Sequence, residues 1–152
     1  MKTIADTNVP KVANWQTSQA SPACVAACAR RLSDIQSAGT LVLDDGWHIL
    51  REYLTNLRSS GQPGMGDAFL KWVLTNQANP RRCELVHITP VNTGPDCCDF
   101  AEFPEDNNLA RFDPADRKFV AVAVAHPEHP PILNAVDTDW NRGFSRAPAR
   151  PG

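Results

Sequence analysis

Three short apolar runs, each stopping at an aspartate, constrain the fold of this chain more than any other feature. Lys2–Ala5 stops at Asp6-Thr7-Asn8, Thr40–Leu43 at Asp44-Asp45, and Ile132–Val136 at Asp137-Thr138-Asp139. Runs this short, bounded by acids and turn residues, read as buried strands rather than helices. Leu85–Thr89 reads as a further strand. Helical patterns lie between them. Pro22–Leu32 has small residues and a basic finish, and Gly39 closes that region. In Trp47–Leu57, Trp47, Leu50, Leu54 and Leu57 recur at helical spacing, with Ile49 and Tyr53 alongside. Asp67–Asn76 is another helical stretch, after a glycine-rich break over 59–66. Residues 8–21 read as a polar connection.

Asp116–Ala125 carries two signals. Its Val-Ala alternation fits a strand, but it opens with Asp113-Pro114-Ala115-Asp116. An acidic cap, proline at the first helical position and an acid at the third predict a helix, and the alanines agree. Strands alternating with helices imply an α/β fold of three layers, a central, mainly parallel sheet covered on both faces. In such sheets ligands bind outside the carboxyl ends of the strands, where these acids gather.

The chain has 152 residues, 42% of them hydrophobic, which suits one globular domain over 1–142 with a flexible tail over 143–152. Its net charge of −2 gives no general attraction for polyanions, so such binding needs a local basic surface or bound metal. The amino terminus lacks the pattern of a signal peptide, and no apolar run approaches the ~20 residues of a membrane helix. A cytoplasmic location without membrane attachment is expected. Five cysteines, with no Cys-x-x-Cys spacing, argue against a disulfide framework and a structural zinc site. Pro90–Arg111 is acidic, turn-rich and long for a connection in a compact domain.

Asp6, Glu52, Asp116 and Asp139 come from four different elements. Singly, each has an ordinary explanation as a cap, a loop residue or a solvated helix position. Together, close carboxylates repel, and no neighbouring Lys or Arg stands in fixed partnership with them. Mg²⁺ or Mn²⁺, which prefer oxygen ligands, would stabilise the group. Such ions activate water and steady both the attacking and the leaving oxygen of a phosphodiester.

The order Asp6-Thr7-Asn8, Glu52 within Ile49–Tyr53, Asp116 opening a late helix, and Asp137-Thr138-Asp139 resembles the PIN-like nucleases. The resemblance spans residues 1 to about 142. It implies a metal-dependent endonuclease, most often acting on RNA or other single-stranded nucleic acid. Asp6, Glu52, Asp116 and Asp139 would be its catalytic acids, and Asn8 would hydrogen-bond a metal ligand or water. Many members are toxins held by an antitoxin; other regulatory proteins and a second copy of the chain are further candidate partners. Two departures stand out. Asp137 replaces the usual Ser or Thr and adds a candidate metal ligand, and 90–111 exceeds the corresponding segment of small toxins. Arg117 and Lys118 are candidates for phosphate contact, His48 shares a helix face with Glu52, and Trp140 could pack on the rim or stack on a base. An aspartyl phosphatase using Asp6 and a non-catalytic binding scaffold are the competing readings.

Overall fold

The computed structural model describes residues 1–17, 20–91, 99–105 and 112–135. Strand β1 (Lys2–Ala5) leads into α1 (Asn8–Ala13) and α2 (Pro22–Ala38), followed by β2 (Thr40–Asp44), α3 (His48–Asn56) and α4 (Met65–Asn76). Strand β3 (Cys83–Val86), a 3₁₀ turn (Pro114–Asp116), α5 (Arg117–Ala125) and β4 (Ile132–Leu133) complete the order. The four strands form one sheet in the order β3-β2-β1-β4, with every pairing parallel. This is the expected α/β fold with a parallel sheet. Among the described residues no helix is long and apolar enough to cross a membrane.

The core explains the strand runs. Ile4, Ala5, Leu41, Val42 and Leu43 are fully buried, as strands covered on both faces require. Helix α5 supplies Phe119, Val120, Ala121, Val122 and Ala123, all fully buried, so its Val-Ala alternation marks a helix enclosed on most sides. Its start follows the predicted capping chemistry: the Asp113 carboxylate accepts the Ala115 N–H at 3.0 Å. Helix α2 is capped in the same way by Ser21, whose hydroxyl accepts the Cys24 N–H.

Several boundaries differ from the sequence reading. Residues 8–13, read as polar connection, are helix α1; Pro10 fits because a first-turn residue has no N–H partner to lose. Strand β3 runs over 83–86 rather than 85–89, because its register is set by β2, pairing Leu41 with Cys83 and Asp44 with Val86. In α3 the buried stripe is Ile49, Leu50 and Tyr53, with Leu57 just beyond, whereas Leu54 is exposed. Part of the long 90–111 segment packs inward: Pro90 bridges Phe100, and Phe100 and Phe103 join the core. Cys24, Cys28 and Cys83 are free thiols.

Away from the strand ends, a polar cluster ties α5 back to the sheet. Lys2 bonds Glu84 at 3.1 Å and Glu128, while Glu84 also meets the buried His126. The Glu128 N–H donates to His126 Nδ1 at 3.0 Å, so the proton facing Glu84 is carried on Nε2. Burial pulls the Glu84 pKa up, but His126 and Lys2 outweigh it and hold it below the usual carboxylate value.

Candidate functional site

Because all four strands are parallel, their carboxyl ends share one edge. Asp6 follows β1, Asp44 closes β2, His87 follows β3 and Asn134 follows β4. Asp6 is only 3% exposed, and its Oδ1 accepts the Asn8 N–H at 2.9 Å, fixing the turn into α1. Asn8 then crosses the rim. Its amide donates to Asn134 Oδ1 at 3.0 Å, and its own oxygen accepts the Ala135 N–H at 3.3 Å. The residue expected to serve a ligand thus also fastens the end of β1 to the end of β4.

Glu52 is the meeting point of the rim. Its Oε2 accepts the Thr7 hydroxyl, and its Oε1 accepts Lys118 Nζ at 2.7 Å. Lys118 also donates to the Ala115 carbonyl. One network therefore links the residue after Asp6, the middle of α3 and the first turn of α5, which follows Asp116. The sequence offered Glu52 no fixed cationic partner; the fold supplies one from 66 residues away.

Neither predicted phosphate contact is a loose surface charge. The Lys118 side chain is 12% exposed and committed to Glu52. Arg117 lies 3.3 Å from Asp99, donates to the Phe112 carbonyl and stacks 4.8 Å above the Phe103 ring. His48, one helical turn before Glu52 on α3 as expected, bonds Asp44 at 2.8 Å and sets its ring edge-on to Phe100. Asp44, an obvious strand-end acid, is fully buried and accepts the N–H groups of His48 and Ile49, so it caps α3.

Tyr53 and Thr7 are contributors that sequence reasoning did not single out. Tyr53 is fully buried, and its hydroxyl donates to the Ala5 carbonyl at 2.5 Å, the last peptide group before Asp6. Burial first, and then the negative charges of Asp6 and Glu52, hold its phenol well above the ordinary tyrosine pKa. A tyrosine on the apolar stripe of α3 was the available signal, since a buried phenol needs an acceptor. Thr7 carried no signal of its own beyond its place in Asp6-Thr7-Asn8.

The acids supply hard oxygen donors of the kind Mg²⁺ and Mn²⁺ take. Among the described residues, no three His, Cys, Asp or Glu side chains stand close enough together to hold a metal ion. Asp137, Asp139 and Trp140 lie outside the described residues. Compared with known proteins, the chain matches no family model, no curated protein and no solved structure.

Proposed function

We propose that the rim is the site of a Mg²⁺- or Mn²⁺-dependent endonuclease, with single-stranded RNA the favoured substrate, in a three-layer PIN-like domain. The observation that carries this reading is the Thr7–Glu52–Lys118 network. It joins the elements bearing Asp6, Glu52 and Asp116 at the strand ends, where α/β sheets bind ligands. A second support is that the charges of buried Asp6 and of Glu52 both reach Tyr53, and acids gathered in one region are stabilised by a cation. The remaining ligands of the proposal, Asp139 and its neighbour Asp137, are taken from their order in the sequence.

When bound, the ion supplies an acidified water and neutralises charge on the phosphoryl group. The chain's own part is positional. Asp6, Glu52 and Asp116 bring negative charge to the rim, Asn8 holds the ends of β1 and β4 together, and Lys118 offsets part of the acid charge. Arg117, anchored through Asp99 and Phe103, is the proposal's candidate for phosphate contact. A cytoplasmic location, an antitoxin or other regulatory partner, and self-association belong to the same proposal.

The Glu52–Lys118 pair also favours a second reading, a binding scaffold whose acid is already neutralised internally. A Mn²⁺ titration followed by electron paramagnetic resonance separates the two. The nuclease reading expects saturable binding that weakens at least tenfold in Asp6→Asn; absence of binding, or binding unchanged in that variant, favours the scaffold.

A further inference from the structure

Between helix α2 and the carboxyl end of β4 lies a cavity of about 240 Å³. Cys24, Cys28 and Arg31 of α2 line it, together with Val9 of α1 and Leu133 and Asn134 at the end of β4. Residues 24, 28 and 31 stand four and three apart, the spacing that stacks side chains along one helix face. The volume is below the ~300–1,000 Å³ typical of pockets for drug-sized ligands and suits an ion or a very small molecule.

Both thiols are free. Cys28 is buried and joins the core, which a small apolar side chain does with no further role. Cys24 is only partly buried, and it neighbours Cys28 in space as well as in sequence. Burial first, and then the charge of Cys24 and a hydrogen bond between the two side chains, push the Cys28 thiol up to about 11. Two thiolates so placed repel each other, and a cation between them removes that repulsion.

The helical spacing decides what bridges the sulfurs. Side chains four apart on a helix have β-carbons ~5–6 Å apart, whereas a disulfide needs about 3.5–4.5 Å. Joining the sulfurs directly would therefore unwind α2. A metal–thiolate bond of about 2.3 Å lets one ion, in line with two sulfurs, hold them about 4.6 Å apart, which the helix accepts as it stands. Among the described residues no third His, Cys, Asp or Glu completes a cluster here. Two soft ligands alone select copper(I) over Mg²⁺, which takes oxygen, and over Zn²⁺, which takes four ligands. The resulting centre carries one negative charge. Arg31 on the same wall offsets it, and among the described residues no carboxylate pairs with that guanidinium.

We propose that Cys24 and Cys28 form a two-coordinate site for copper(I), sheltered in the cavity between α2 and β4 with Arg31 as its counter-charge. Binding forms two Cu–S bonds and releases two thiol protons to solvent, with no electron transferred. The site uses none of the rim acids and does not depend on the nuclease reading.

The test uses the full chain carrying Cys97→Ser and Cys98→Ser, which leaves Cys24, Cys28 and the buried Cys83 as its only thiols. Copper(I), kept reduced by ascorbate under nitrogen, is titrated against the chromophoric chelator bicinchoninate. The chain should withdraw one equivalent, and Cys24→Ser and Cys28→Ser should each weaken that binding at least a hundredfold. Circular dichroism checks that the partly exposed Cys24 tolerates its substitution. A second readout needs neither variant: one equivalent of copper(I) should slow iodoacetamide labelling of Cys24 at least tenfold, whereas the same concentration of Zn²⁺ should not. Failure to withdraw copper, withdrawal unchanged in Cys24→Ser, or equal protection by Zn²⁺ overturns the site, and each leaves the rim reading standing.

Discussion

Lys118 and Glu52 define the residue-scale question, because their pairing both builds the rim and competes with any cation that enters it. Their side chains are 12% and 24% exposed, so the pair is only partly screened by water. Replacing Lys118 by Met should destabilise the protein by about 1–3 kcal/mol in urea unfolding, since Glu52 would keep its charge without its cation. Adding Mn²⁺ should restore more stability to that variant than to wild type, because the competing ammonium is gone. Equal restoration in both would show that Lys118 and the ion do not share a site. Tyr53→Phe tests the other buried contact. It leaves the Ala5 carbonyl without its phenol donor and should cost about 1–2 kcal/mol.

At the scale of elements, two buried aspartates start helices. Asp44 begins α3, and Asp67 begins α4 by accepting the Gly64 N–H at 3.0 Å, the Arg58 N–H at 2.8 Å and the Asn14 amide. Burial raises the Asp67 pKa, but these bonds outweigh it and hold the group below its ordinary value. Asp67→Ala should therefore cost about 2–4 kcal/mol by thermal or urea unfolding, whereas Asp67→Asn should recover part of the loss. The strands were legible because an apolar run ending in a turn residue has one reading, and α5 because Asp113-Pro114 overrode its valines. What stayed hidden depends on residues far apart in the chain. The register of β3 comes from β2, the turned face of α3 from Tyr53 reaching Ala5, and the partner of Glu52 from α5. Of the candidate site, the meeting of the elements bearing Asp6, Glu52 and Asp116 was legible as strand-end logic. The commitment of Asp44 to a cap was not, because a ligand and a cap look alike in sequence.

For the whole molecule, stability should fall on both sides of neutrality. On the alkaline side, burial pushes the Cys83 thiol up to about 11 and the Cys28 thiol up to about 11, and Tyr53 lies well above its ordinary value. Groups with raised pKa stabilise fully below their unfolded values, about 8.5 for thiols and about 10 for tyrosine. That contribution is lost as pH climbs through the folded values. Tm should decline above about pH 8.5, with a shallower decline in Tyr53→Phe beyond about pH 10. On the acid side, Glu84 and Asp67 have lowered pKa, so their contribution is present above about pH 4 and lost as pH falls through their folded values. A Tm profile flat from pH 8 to 11 would contradict the alkaline half of this expectation.

The most direct measurement of the central claim is cleavage of a labelled single-stranded RNA by the purified chain with Mn²⁺ or with EDTA, beside Asp6→Asn and Asp116→Asn. The expected result is Mn²⁺-dependent endonucleolytic cutting that EDTA abolishes and each substitution lowers by at least a hundredfold, the loss of several kcal/mol of transition-state stabilisation. Cutting that persists in EDTA or survives in both variants, or no cutting together with covalent phosphate on Asp6, would contradict it.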